Sequence, residues 1–337
     1  MSKKAVAGEA QSIGLRCRDL LASVLPRPVE IEAGPGHVVV NGTVLRVAWA
    51  GAGWLPDVRR VLDTTGDRPQ IVAARRLSPG AREALAKAGI GWVDETGGAE
   101  IAVGTIVVVR PGLVDSSRRR VAGWTAATEA VAEALLCDVP PTVDAVTSAT
   151  GLSTGSCVAA LRTLTDLGLL VHDAERGRGS GRRLDDGDRL LDAYATAAAA
   201  RKRPPSIRVG VSWRDVVEGT TSAGSSWTAA GIVWAATGVV ASEVTAPHLT
   251  NVNTADVYVA GRSLTDLDRA ADVAGLRPIE GGRLQLSTFP TEATSRLIEQ
   301  VGGMMVAPWP RVFADLRVSG VCGEDVAEHL RETRHGR

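Results

Sequence analysis

A chain of 337 residues holds two or three folded units, and its 45% hydrophobic and 23% charged residues supply ordinary cores, which excludes a single minimal module and wholesale disorder. Its 38 basic and 38 acidic side chains cancel, so no whole-protein field draws it to nucleic acid or membrane, and any basic face must be local. Cys17, Cys137, Cys157 and Cys322 are too far apart to clip zinc or exchange disulfides, which fits a reducing cytoplasm. The N-terminal stretch lacks an apolar signal core, and no run of about 18 uncharged apolar residues occurs, so no membrane association is expected.

The first third alternates short apolar runs with turns. Val38 to Val40, Val44 to Ala50, Gln70 to Ala74, Gly89 to Val93 and Gly104 to Val109 read as strands. Pro56 to Leu62 and Ser78 to Ala88 have helical spacing, the second with Ser78 as N-cap, Pro79 at the first helical position and Gly89 as its stop. Residues 1–117 are therefore expected to form an α/β domain, closed by the polar joint Arg118, Arg119, Arg120.

From 123 to 203 the pattern becomes helical. Helices are expected over Ala126 to Leu136, from the cap Thr142 through Thr150, and from the cap Ser153 to Leu167, each ended by turn residues. Leu169 to His172 reads as a strand, Asp173 to Asp186 as an exposed hairpin, and a further helix runs from Asp188 through the alanines at 197 to 200. Pro204 and Pro205 forbid its continuation. Residues 206–337 form a mixed α/β segment. Trp227 to Val240, Leu264 to Ala274, Glu292 to Val301, Pro310 to Val318 and Glu324 to Glu332 read as helices, and Ala255 to Ala260 and Arg283 to Ser287 as strands.

The middle segment carries the clearest chemistry. Cys157, Leu161 and Leu164 recur at helical spacing and bury one face, and the Gly168-Leu169-Leu170 strand follows, as in a winged helix-turn-helix. Ser153, Thr154 and Ser156 lie at the helix N-terminus, where hydroxyls, open N–H groups and the positive dipole end suit phosphate oxygens. Ala159 and Ala160 stand where many regulators carry a base-reading Arg or Lys, leaving Arg162 and Thr163 as the nearest long or polar groups. Arg176, Arg178, Arg182 and Arg183 concentrate charge on a glycine-rich tip suited to phosphates or a minor groove. An ordinary capped core helix beside a solvated loop shares these features.

Enzymatic signals are sparse. His37, His172, His248, His329 and His335 are scattered, and neither Gly34-Pro35-Gly36 nor Gly51-Ala52-Gly53 continues into a phosphate loop. Ser222 to Ser226 is similar to the Gly-Ser motif of some nucleotidyl transferases, but no acidic pair follows, so it reads as a loop capping a helix at Trp227. No catalytic residue, metal or cofactor is expected.

The run Ile71 to Ser78 with Arg82 and Leu85, then Gly89-Ile90-Gly91-Trp92-Val93-Asp94-Glu95-Thr96-Gly97-Gly98, resembles the N-terminal part of AbiEi-type regulators. Met305 to Pro308, Phe313 to Leu316, Gly323 and Ala327 to Leu330 are similar to their C-terminal end. The resemblance implies a restriction-endonuclease-like N-terminal domain, a central winged helix and a C-terminal α/β domain. It further implies a DNA-binding antitoxin of type IV toxin-antitoxin pairs that represses its own operon, with a toxin encoded nearby that it counters without a stable complex. Nucleases of that N-terminal fold need an Asp and a following Asp/Glu-x-Lys for Mg²⁺ and phosphate. The strand Leu45-Arg46-Val47-Ala48-Trp49-Ala50 has neither acid nor lysine, although Glu30 and Glu32 lie upstream, so that domain reads as catalytically dead.

The reading is a multidomain α/β and α+β regulator that binds operator DNA, with a homodimer on a pseudo-palindrome the usual arrangement at this size. The alternatives are a nuclease-derived enzyme or DNA sensor, and a protein-binding scaffold.

Overall fold

The computed structural model describes residues 3–25, 29–64, 67–103, 106–111, 124–172, 181–248 and 252–335. Its contacts divide into two compact units, Met1–Ser117 with Val318–Glu324, and Arg118–Arg317 with Asp325–Arg337.

In the first unit, α1 (Lys3–Val24) precedes β1 (Ile31–Gly34), β2 (His37–Val40) and β3 (Thr43–Trp49), which pair antiparallel in turn. α2 (Leu55–Leu62) connects β3 to a parallel neighbour, β4 (Ile71–Ala74), and α3 (Pro79–Lys87) connects β4 to β5 (Gly91–Asp94), also parallel. β6 (Gly98–Val103) and β7 (Ile106–Pro111) close the sheet antiparallel, so its seven strands lie in sequence order. All four residues of β4 are buried because alternate side chains serve opposite layers. Ile71 and Ala73 pack with Cys17 and Leu21 of α1, while Val72 and Ala74 pack with Val58, Ala81 and Leu85 of α2 and α3.

Two buried carboxylates organise the turns of this unit. Asp94 accepts from the backbone N–H groups of Leu77 (3.3 Å), Thr96 (3.0 Å) and Gly98 (3.2 Å), from the Thr96 hydroxyl, and from the Arg82 guanidinium at 3.0 Å. The stretch from Asp94 to Gly98 thus has a structural cause: one carboxylate satisfies a tight turn in which Gly97 takes a φ of 79°. Glu324 accepts from the backbone N–H of Leu55 (2.7 Å), that of Gly80 (3.2 Å) and the Ser78 hydroxyl (2.5 Å), so it serves the open N-termini of both α2 and α3.

The second unit opens with α4 (Ala126–Leu136), α5 (Val143–Thr150) and α6 (Thr154–Asp166), then β8 (Leu170–His172) and β9 (Arg182–Leu184) as an antiparallel pair, then α7 (Gly187–Ala200). Thr125, Thr142, Ser153 and Asp186 cap the four helices through their side-chain oxygens. β10 (Ser206–Gly210), α8 (Val216–Ala229), β11 (Trp234–Thr237), α9 (Gly238–Thr245), β12 (Ala255–Val259) and α10 (Leu264–Val273) follow. The chain continues through β13 (Arg277–Pro278), β14 (Leu284–Thr288), α11 (Glu292–Arg296), β15 (Glu299–Val301), β16 (Met304–Val306), α12 (Trp309–Leu316) and α13 (Val321–His335). These seven strands form a mixed sheet in the order β13, β10, β14, β12, β11, β16, β15.

Residues 124–203 and 206–335, separated in the sequence reading by Pro204 and Pro205, share one unit. α4 and α7 pack on α12, Trp309 donates to the Leu136 carbonyl at 2.9 Å, and a single apolar cluster runs from Trp124 to Leu330. The helix expected over Trp227 to Val240 is instead the end of α8, the buried strand β11 and the start of α9. Gly231, left-handed at φ 72°, breaks the run. The expected helix over Glu292 to Val301 is only α11, after which the chain enters β15. Ser222 to Ser226 is not a loop but lies inside α8, where the bare Gly224 lets the Trp234 ring close onto the helix. No described helix is long and apolar enough to cross a membrane.

Candidate nucleic-acid interface

α6 is built to show one face. Gly151, left-handed at φ 70°, ends α5, and the Ser153 hydroxyl accepts from the Ser156 N–H at 3.2 Å to start α6. Cys157, Ala160, Leu161 and Leu164 are buried, whereas Thr154, Gly155, Val158, Ala159, Arg162 and Asp166 are exposed. Arg189 of α7 donates to the carbonyls of Gly168 (3.0 Å) and Leu167 (3.5 Å), closing the far end of α6 with a positive charge.

The expected contact residues fare differently. Thr154 and Arg162 are exposed. Ser153 and Ser156 share a hydroxyl contact of 2.9 Å that serves the cap. Thr163 spends its proton on the Ala159 carbonyl at 3.0 Å, within the helix. Val171 pairs with Arg183 and His172 with Arg182 across the hairpin, so Arg182 and Arg183 lie on opposite faces of it. Arg183 forms an ion pair with Asp185 at 2.8 Å. Arg176 and Arg178 lie outside the described residues.

A second polar region escaped the sequence reading. Glu133 of α4 is buried and accepts from the Tyr194 hydroxyl of α7. Desolvation pushes its carboxyl up to about 7, against the pull of that hydrogen bond and of Arg311. Arg311 of α12 is bound to Asp315, whose carboxylate also accepts from the hydroxyls of Thr237 (2.6 Å) and Tyr258 (2.7 Å). The chain thus runs through side chains of α4, α7, α12, β11 and β12. The signal in the sequence is the pair Glu129 and Glu133, one helical turn apart among alanines and leucines on a helix otherwise buried. Among the described residues, no group of three His, Cys, Asp or Glu is placed to hold a metal.

No protein family, curated protein or solved structure matches the chain.

Proposed function

We propose that residues 123–203 act as a winged helix-turn-helix that docks on duplex DNA, making the protein a transcriptional regulator. The observation that carries this reading is α6. Its Ser153-capped N-terminus and the outer residues Thr154, Gly155, Val158, Ala159 and Arg162 stand opposite a fully buried seam, and an arginine-bearing hairpin follows directly. With one long basic side chain on that helix and Arg183 held by Asp185, phosphate contacts would outweigh base readout. Repression of its own operon in the manner of an AbiEi-type antitoxin rests on the sequence resemblance, a dimeric state on what is usual for regulators of this size, and an inactive nuclease-like N-terminal domain on that resemblance together with the acid- and lysine-free strand Leu45 to Ala50.

Fluorescence anisotropy with the protein's own upstream DNA, titrated with salt, tests the reading. Binding is expected to weaken steeply with salt, and Arg162→Ala to reduce the log-log slope by about one. Asp185→Asn, which removes the ion pair with Arg183 and one negative charge beside the hairpin, is expected to tighten binding. Absence of binding at low salt, or a slope unchanged by both substitutions, rejects it.

A further inference from the structure

The mixed sheet of the second unit has two unlike faces. Val209, Val257, Leu284 and Leu286 are buried on one. On the other, the pairing of Asp256 with Gln285 and of Gln285 with Arg208 lays three polar side chains in a row across β12, β14 and β10. These are inner strands of the sheet, yet Arg208 is exposed and Asp256 and Gln285 are partly exposed. α9 packs on both β11 and β12, α12 reaches β11, and Asp315 of α12 bonds Tyr258 of β12, so the Asp256 end of the row lies beside these two helices, whereas the helix packed on β10 and β14 is α10, which serves their buried side chains.

The charges in this row are not joined. Asp256 makes no hydrogen bond or ion pair with any described residue, although Arg208 shares its face one strand beyond Gln285. Arg208 donates instead to the Gly282 carbonyl at 3.5 Å. Desolvation first and Asp315 second push the Asp256 carboxyl up to about 6, while Arg208 pulls it down too weakly to compensate. Gly238 leaves the carboxylate room, since a Cβ there would stand 3.1 Å from Asp256 Oδ2. A largely desolvated carboxylate that no described residue donates to is open to a donor from a ligand, and an ammonium group supplies one. Adjacent strands lie about 4.8 Å apart, so the backbones of Asp256 and Arg208 are roughly 10 Å apart, a gap that the long arginine shortens to the size of a small molecule.

We propose that this row is a binding site for a small amino-acid-like zwitterion, its ammonium on Asp256, its carboxylate on Arg208 and its middle over Gln285. The site stands independently of DNA binding. A ligand there would lie one side chain from Asp315, and through Arg311 from Glu133 of α4.

The test is calorimetric titration and thermal melting of the full-length protein with each of the common L-amino acids, without DNA. At least one is expected to bind and raise the melting temperature, and its N-acetyl and methyl-ester forms to fail. Asp256→Asn and Arg208→Met are each expected to weaken binding roughly tenfold or more, as loss of one partner of a desolvated charge pair does. Asp256→Asn removes a carboxylate without a partner, so its fold is expected to survive, and the exposed Arg208→Met gives an independent reading. No binding by any amino acid overturns the proposal, as does binding that survives both substitutions or loss of the ammonium group.

Discussion

Asp94 and Asp256 are desolvated carboxylates on inner strands of two seven-stranded sheets, and their surroundings are opposite. Asp94 gathers backbone N–H groups, a hydroxyl and a guanidinium, so each lone pair has a donor and the charge belongs to the fold. Asp256 gathers none among the described residues and sits on a partly exposed row. The sheets differ likewise: β4 of the first serves apolar layers on both faces, whereas β12 and β14 of the second serve one apolar face and one polar face. A satisfied buried charge reports architecture. Asp256, which no described residue donates to, is the position the proposed site uses.

The largest expected effect tests this contrast directly. Asp94→Ala strands the Arg82 guanidinium and three N–H groups, and is expected to cost about 3–5 kcal/mol by urea denaturation. Asp256→Asn is expected to leave the midpoint unchanged or raise it. Equal losses at the two positions would show that Asp256 has a structural partner after all and erase the contrast. A smaller effect separates the faces of the second sheet. Leu286→Ala is expected to cost about 2–5 kcal/mol, and Gln285→Ala, its neighbour on the polar face, within about 0.5 kcal/mol. A comparable loss at Gln285 would mean the polar face is packed like the other.

The sequence made the helices of residues 124–200 legible because their signals are local: Thr125, Thr142 and Ser153 cap, Gly151 and Gly168 stop, and the apolar spacing agrees. α1 is hard to read although Ile13, Cys17, Leu20, Leu21 and Val24 follow helical spacing, because charged residues between them mask the stripe. β11 reads as part of a helix because a fully buried strand has no alternation to read. Site residues divide in the same way. The Ser153 cap and the buried seam of α6 could be inferred from spacing, whereas the Arg183 to Asp185 pair and the inward bond of Thr163 depend on side-chain geometry. The row of Arg208, Gln285 and Asp256 was beyond reach, since it exists only through the strand order β10, β14, β12, which no local pattern encodes.

The gentlest effect concerns how pH acts on the second unit. Glu133 has a folded value near 7 against an ordinary value of 4.5, raised chiefly by desolvation. Between those values the folded protein keeps a proton that the unfolded chain releases, so folding takes up a proton and stability falls as pH rises. Glu133's favourable contribution is therefore fully present below about 4.5 and gone above about 7, with a limiting slope of about 1.4 kcal/mol per pH unit. Asp256, also raised, acts in the same direction at lower pH, so the informative quantity is the difference between wild type and Glu133→Gln across urea denaturations from pH 4 to 8. That difference is expected to move in the variant's favour as pH rises and to level off above neutrality. A flat difference would mean that Glu133 is ionised in the fold throughout, with Arg311 and Tyr194 satisfying its charge as fully as Asp94 is satisfied in the first unit, and the division between the two regions would then rest on Asp256 alone.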